Sequence, residues 1–337
     1  MKNCRRILSG VLVLLSFFVW TNPALCADAA APTHKHLRIL TGPVGGQWHT
    51  MGEPLASALS QIIPVSSRSG GGLTNIQAID KKNADIAFTL ACFLGAGQSG
   101  EAEYKSLKTD NVALLASVYP QVLYFLIRKD FAVKHNITSV GSLLDKKMPL
   151  RFATLKPGTA SEFIVSMLLK YGYGTDYDKL RLQGWNIAFN NYSEMADDFT
   201  EGNLDCFAYT AGTTVPLIHA MENVTEVAIL SVEQKTLKTL HDKFRTGTHT
   251  IQPGDYKGIT TPVMTLGDYT TLIISKSLPD SLAYQIAESL WGNRGMVSKL
   301  VKDFDALSPK TAMPEGLETH PGAAKFWNEL LQGKNKK

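Results

Sequence analysis

Cysteine is scarce in this sequence, and its placement gives no support to metal or redox chemistry. Four cysteines occur in 337 residues; Cys4 and Cys26 fall within the first 27, leaving Cys92 and Cys206 for the rest of the chain. Their spacing matches no zinc or iron–sulfur motif. They either bridge in an oxidising compartment or remain two separate buried thiols. Charge is also thin, at 19% of residues, with no long block of one sign. There is no His-Glu-x-x-His helix, no Gly-x-Ser-x-Gly elbow and no P-loop lysine after a glycine turn, so the enzyme classes that carry those patterns are set aside. No repeat of solenoid period is present. Catalytic residues, metal ligands and cofactors are therefore not expected.

What is present begins at the N-terminus. Lys2, Arg5 and Arg6 precede an apolar stretch over residues 7–20, and small residues follow over 24–31, the pattern of an export signal spanning residues 1–27. The stretch is short for a membrane span of about 20 residues. Leu25 before Cys26 fits lipid attachment poorly, so a soluble periplasmic product starting between Ala27 and Ala31 is expected. That removal takes away three basic side chains and no acidic ones, lowering the formal charge from +4 to +1. Such a balance offers nothing to nucleic acid or an acidic membrane.

The remainder, 44% apolar overall, is long enough for two domains. Strand patterns at 37–40, 65–67 and 85–89 alternate with helical ones, which predicts a parallel α/β sheet with helices on its faces. A first helix places Met51, Leu55, Ala58, Leu59 and Ile62 on one stripe before Pro64. A second strand-helix series runs through 150–153, 160–170, 187–189, 192–201 and 206–209, and only helices follow 274. Two long apolar runs, 111–127 (interrupted at Tyr119-Pro120) and 263–274, are the expected crossings between domains. Domain I is expected to be discontinuous, 28–126 plus 268–337, with domain II at 127–267 and a ligand cleft between them.

Three glycine-rich turns, each between a strand pattern and a helix, suggest one anion site: 41–48, 69–75 and 156–161. Glycine lets a ligand approach the free amides of a helix start, where negative charge is favoured. Gly45, Gly46, Gly71, Gly72 and Gly158 serve this role or merely turn the chain. Thr74 and Thr159 each precede Gln77 and Glu162 by three residues and are capping-box candidates as well as ligand contacts. Asn75 and Ser161 add side-chain donors. Trp48 is a cleft wall or a core aromatic, and His49 a carboxylate donor or a structural residue. Arg68, although charged, ends a strand and is expected to be solvated. Tyr119, Tyr209 and Thr213 lie near strand ends facing the expected cleft.

The same residues resemble a known family, the TAXI subgroup of solute receptors for tripartite ATP-independent periplasmic (TRAP) transporters. Residues 41–55 are similar to its T-G-G-x-x-G-x-Y-Y-P-x-G-x-x-L segment, 69–75 to its T-G-G-S-x-x-N turn and Ala84-Asp85-Ile86-Ala87-Phe88 to A-D-x-A-F. Further on, 157–161 resembles P-G-S-G-T, 202–207 G-x-I-D-A-F and 251–256 I-P-A-G-T-Y. Leu278-Pro279-Asp280 and His320-Pro321-Gly322-Ala323 follow in the family's order, so the resemblance covers essentially the whole mature chain.

The resemblance implies a two-domain periplasmic-binding-protein-like fold of type II-like form, with two crossing strands, working as a monomer. It implies a receptor, not an enzyme, that hands a small carboxylate, such as an amino acid or dicarboxylate, to TRAP permease subunits for ion-gradient-driven uptake. The ligand-binding set is Gly45, Gly46, Gln47, Trp48, His49, Gly71, Gly72, Leu73, Thr74, Asn75, Tyr119, Gly158, Thr159, Ala160, Ser161, Tyr209 and Thr213. Trp48-His49 stands where the family has paired tyrosines, Gly72 where it has serine, and Ala160 where it has the second glycine of the third turn. These departures loosen the inference to a particular ligand. The alternatives are a receptor for an ABC importer and an exported enzyme acting on a small acid.

Overall fold

A computed structural model describes residues 34–100 and 107–334. The expected export signal, with Cys4, Cys26 and the cleavage zone, lies outside the described residues. Among the described residues ten strands form one sheet: β1 (Leu37–Leu40), β2 (Val65–Arg68), β3 (Ile86–Leu90), β4 (Val112–Arg128), β5 (Leu150–Leu155), β6 (Trp185–Asn190), β7 (Cys206–Ala211), β8 (Val227–Ile229), β9 (Gly247–Ile251) and β10 (Val263–Ser275). Their order is β2-β1-β3-β10-β4-β7-β5-β6, with β8 on β4 and β9 on β10.

Two parallel βαβαβ units stand at the ends of this order. β1 pairs in parallel with β2 and β3, and β5 pairs in parallel with β6 and β7. The duplication reaches single residues. Arg38 on β1 donates through its backbone N–H (2.8 Å) and Nε (3.1 Å) to Asp85, just before β3. Arg151 on β5 does the same to Asp205, just before β7, at 2.9 and 3.0 Å.

Between the units run β4 and β10, antiparallel to each other and long enough to serve both. β10 pairs with β3 from Thr270 to Ile274, and β4 pairs with β7 from Val122 to Ile127. The carboxyl end of β3, at Leu90, meets Thr270, and that of β7, at Ala211, meets Val122. Carboxyl ends of both units therefore converge on the middle of the crossing strands. The interruption expected at Tyr119-Pro120 does not break β4, which continues through it beside a shift of register between Thr270 and Thr271. The extra residue at that shift is Val118, while Pro120 stays in register with Tyr269.

Helix α1 (Gln47–Leu59) buries Met51, Leu55 and Leu59 on one stripe, and α2 (Gly72–Asp80) buries Ile76 and Ile79. After β10 the chain is helical, and helices Asp280–Gly292 and Pro321–Leu331 pack on the β1 side; the Trp327 indole donates to the Leu115 carbonyl on β4 at 2.9 Å. The main core runs from Leu37 and Ile39 through Phe88, Phe125 and Phe152 to Trp327. A second cluster around Met195, Phe199, Phe207 and Ile218 lies beside β7. Cys92 and Cys206 are both free and buried. Burial pushes each thiol well up from its ordinary value, which leaves them protonated packing groups.

Candidate ligand-binding site

A cavity of about 580 Å³ opens where the two sets of strand ends converge. In a parallel unit the helix after each strand starts at the strand's carboxyl end, so its free amides point into this region. α1 begins after Gly46, which contributes no side-chain cap. Thr50 closes the first intrahelical bond onto Gly46, so the amides of Gln47, Trp48 and His49 precede the helix's own ladder. The equivalent helix of the second unit, Ala160–Met167, is capped by Thr159, whose hydroxyl accepts from the Glu162 amide at 3.2 Å. One cap leaves the amides of Ala160 and Ser161 without a partner in the helix's own ladder. Gly45, Gly46, Gln47, Trp48, Thr159, Ala160, Ser161 and Tyr209, all expected as ligand contacts, line the cavity.

Several of these side chains already have protein partners. Trp48 is 7% exposed, stacks on Phe88 with centroids 5.8 Å apart, and donates to Thr270 Oγ1 at 3.0 Å. It is thus both a core aromatic and a cavity wall. The Ser161 hydroxyl is engaged with Thr210, accepting from its amide at 3.0 Å. Gln47 accepts from the Gly212 amide at 2.7 Å and donates to the Thr214 carbonyl (3.1 Å) and Asp303 Oδ2 (2.8 Å). Asp303 in turn accepts from the Thr213 amide (2.9 Å) and hydroxyl. Gln47 and Asp303 together hold the loop after β7 across the cavity wall, while the Tyr124 and Tyr256 hydroxyls donate to the Gly212 and Thr213 carbonyls.

The second glycine turn is not brought to the cavity. Gly71, Gly72, Leu73, Thr74 and Asn75 lie outside its lining, as do His49, Tyr119, Gly158 and Thr213. A Cβ on Gly72 would sit 2.6 Å from the Ala160 Cβ, and one on Gly71 would sit 2.6 Å from the Gly158 carbonyl oxygen. Glycine there lets two helix starts pack against each other. Asn75 is buried and spends its amide on Thr41 and Phe88 carbonyls (2.8 and 2.7 Å) and on the Gly71 N–H (3.0 Å). The capping box expected at Thr74 does not form, because Gly71 is the N-cap; Thr74 lies inside the first turn and donates back to the Gly71 carbonyl at 3.3 Å. His49 turns to Ser69 (3.3 Å). Arg68 is exposed, as expected.

Other lining residues escaped the sequence reading. Gln121 lies on β4 at the crossing, Tyr192 starts the helix after β6, and Thr214 to Leu217 follow the end of β7. Strand-end position was a usable signal for the last two. Ser298 to Lys302 carry no local pattern that marks a site, and only the return of the C-terminal segment brings them there.

The lining holds Lys299 and Lys302 and no carboxylate. Burial raises Tyr192 to about 12 and moves Tyr209 well up, so both phenols are neutral hydrogen-bond donors at physiological pH. The Tyr209 hydroxyl and Gln121 Oε1 are buried and have no partner among the described residues. No group of metal-ligating side chains that could hold an ion is found among the described residues, and none of their helices is long and apolar enough to cross a membrane.

Solved structures with this fold include the periplasmic binding protein BugD, 17% identical over 88% of this chain and 97% of that one, with a TM-score of 0.50. MatC from Rhodopseudomonas palustris, solved with bound malate, is 14% identical over 88% and 97%, with a TM-score of 0.52. At these identities the likeness concerns the fold, a mixed α/β binding-protein architecture. The model of the NMT1-like family matches residues 39–330, and the chain belongs to that family, within the periplasmic solute-binding superfamily.

Proposed function

We propose that this periplasmic solute-binding protein is an exported receptor that captures an organic anion and delivers it to a TRAP-type membrane carrier. The observation that carries the reading is the pairing of two topologically equivalent helix starts, at Gly46 and Thr159, on one cavity without a carboxylate in its lining. Each helix start favours an anion by about 0.3–1 kcal/mol when exposed, and up to about 2 kcal/mol when partly buried. Two aimed at one ligand, with Lys299 and Lys302 nearby, make negative charge the natural complement. The ligand-binding set is then Gly45, Gly46, Gln47, Trp48, Thr159, Ala160, Ser161 and Tyr209, extended by Gln121 and Tyr192.

In this reading residues 28–126 with 268–337 and residues 127–267 act as two domains that close on the ligand, and the bonds from Gln47 and Asp303 to the loop after β7 belong to the closed arrangement. Ligand favours closure by its differential affinity for the two arrangements. Capture and release, without chemistry on the ligand, complete the cycle. TRAP coupling follows from the run of motifs shared with the TAXI receptors, from residues 41–55 to residues 320–323.

The test is native mass spectrometry of protein purified without refolding, followed by titration of the retained molecule in small-angle scattering. An anion is expected, with compaction at saturation. A cationic ligand, or an unchanged radius of gyration, defeats the reading. Uptake in reconstituted vesicles that stops with an ionophore and survives ATP depletion supports the TRAP carrier; the reverse assigns an ABC importer.

A further inference from the structure

We infer that the anion is amphipathic: a single charged head carried on an apolar body of roughly ten or more carbons, and not a four- or five-carbon diacid or a small amino acid. This deepens the receptor reading and rests on it. The argument begins with volume. A cavity of about 580 Å³ falls within the roughly 300–1,000 Å³ of sites that bury drug-sized molecules, and a four-carbon diacid with about nine non-hydrogen atoms is small for such a site.

The chemistry of the lining is divided in the same sense. The groups able to hold a negatively charged head are the two helix starts, the Tyr209 hydroxyl and the ammonium groups of Lys299 and Lys302. Tyr209 is 0% exposed and its hydroxyl has no protein partner, which marks a position that a ligand atom is needed to satisfy. An apolar stretch of the lining stands beside them. Leu155, Val215, Pro216 and Leu217 line it from the second unit, and Leu300 and Val301 from the C-terminal segment. A short diacid held at the helix starts would leave this apolar surface in water. Leu300, between Lys299 and Val301, is 58% exposed, an apolar side chain of the lining left more than half open to water. A hydrocarbon body lying along this wall removes it from water and gains affinity with each buried methylene.

The experiment titrates the exported protein, stripped of retained molecules, with malate, glutamate and straight-chain carboxylates from butanoate to dodecanoate in a calorimeter. Kd is expected to fall about fourfold per added methylene until the cavity is filled, with malate and glutamate at least a hundredfold weaker than the best chain. Leu300→Ser, at an exposed position that does not threaten the fold, should weaken decanoate several-fold and leave butanoate unchanged. Tight malate or glutamate binding with a flat chain-length series overturns the inference and leaves the receptor reading intact. No heat with any acid, together with no retained anion in the native mass spectrum, overturns both.

Discussion

The two βαβαβ units share strand order and the Arg–Asp pair, yet they serve the cavity unequally. From the second unit, all three helix starts reach it: Thr159 to Ser161 after β5, Tyr192 after β6 and Val215 to Leu217 after β7. From the first unit only α1 does. The start of α2 is pressed against the Ala160 helix, and the amide of Cys92, in the first turn of helix α3 (Ala91–Ser99), is taken by Asp268 Oδ2 at 3.2 Å. A buried carboxylate grips the segment after the third strand in both units, Asp268 in the first and Asp303 in the second. Only the second grip, through Gln47 and Thr214, holds residues that line the cavity, without lining it itself. Equivalent topology thus supplies equivalent amides, and what else packs against them decides which stay available for a ligand.

The largest effects are expected from substitutions in the second and third glycine turns. Thr159→Asp keeps a side chain able to cap Glu162, but adds a negative charge at a cavity-lining helix start. At about 5 Å from a bound anion and an effective dielectric of about 20 the cost is about 3 kcal/mol, on the order of a hundredfold in Kd. Calorimetric titration should show that loss with the melting temperature nearly unchanged. Gly72→Ala should do the opposite, lowering stability by about 1–3 kcal/mol through overpacking against Ala160, with affinity following only as far as the packing shifts. Loss of binding in a fully stable Gly72→Asp variant would return the second turn to the site.

Next in size is the grip beside the cavity. Asp303→Ala strands the Thr213 amide and frees Gln47, and should cost about 1–3 kcal/mol in chemical denaturation. It should also weaken ligand binding, whereas Asp268→Asn should leave binding unchanged. Equal effects on affinity would contradict the assignment of only one grip to the cavity.

The paired strand anchors test the duplication itself. Asp85→Asn and Asp205→Asn each weaken a partly exposed arginine pair, and after allowance for solvent screening each should destabilise by about 1 kcal/mol. Matching urea midpoint shifts are the expected result; a shift in one alone would mean that the units do not carry load alike.

The smallest effect is a pH dependence. Burial raises Asp268 from 3.8 to about 6, so the folded state binds its proton more readily than the unfolded chain. Its contribution therefore grows as pH falls from 7 towards 4, by about 1 kcal/mol between pH 7 and 5. Asp268→Asn should remove that slope from a series of melting curves.

The amino-acid sequence by itself determined the alternation of strands and helices, the two long crossing strands, and the glycine-bearing helix starts, because each rests on local periodicity and turn chemistry. The cap at Thr159 was equally local, a hydroxyl three residues before the amide it accepts from. Tertiary structure alone decided which helix starts line the cavity. Thr74 carries the same spacing as Thr159, yet lies inside its helix because Gly71 and Gly72 are held against Gly158 and Ala160, residues nearly ninety positions away. Gln121, Asp303 and the 298–302 wall were invisible for the same reason: burial, pairing and cavity shape are properties of surfaces that meet only after the chain has returned on itself.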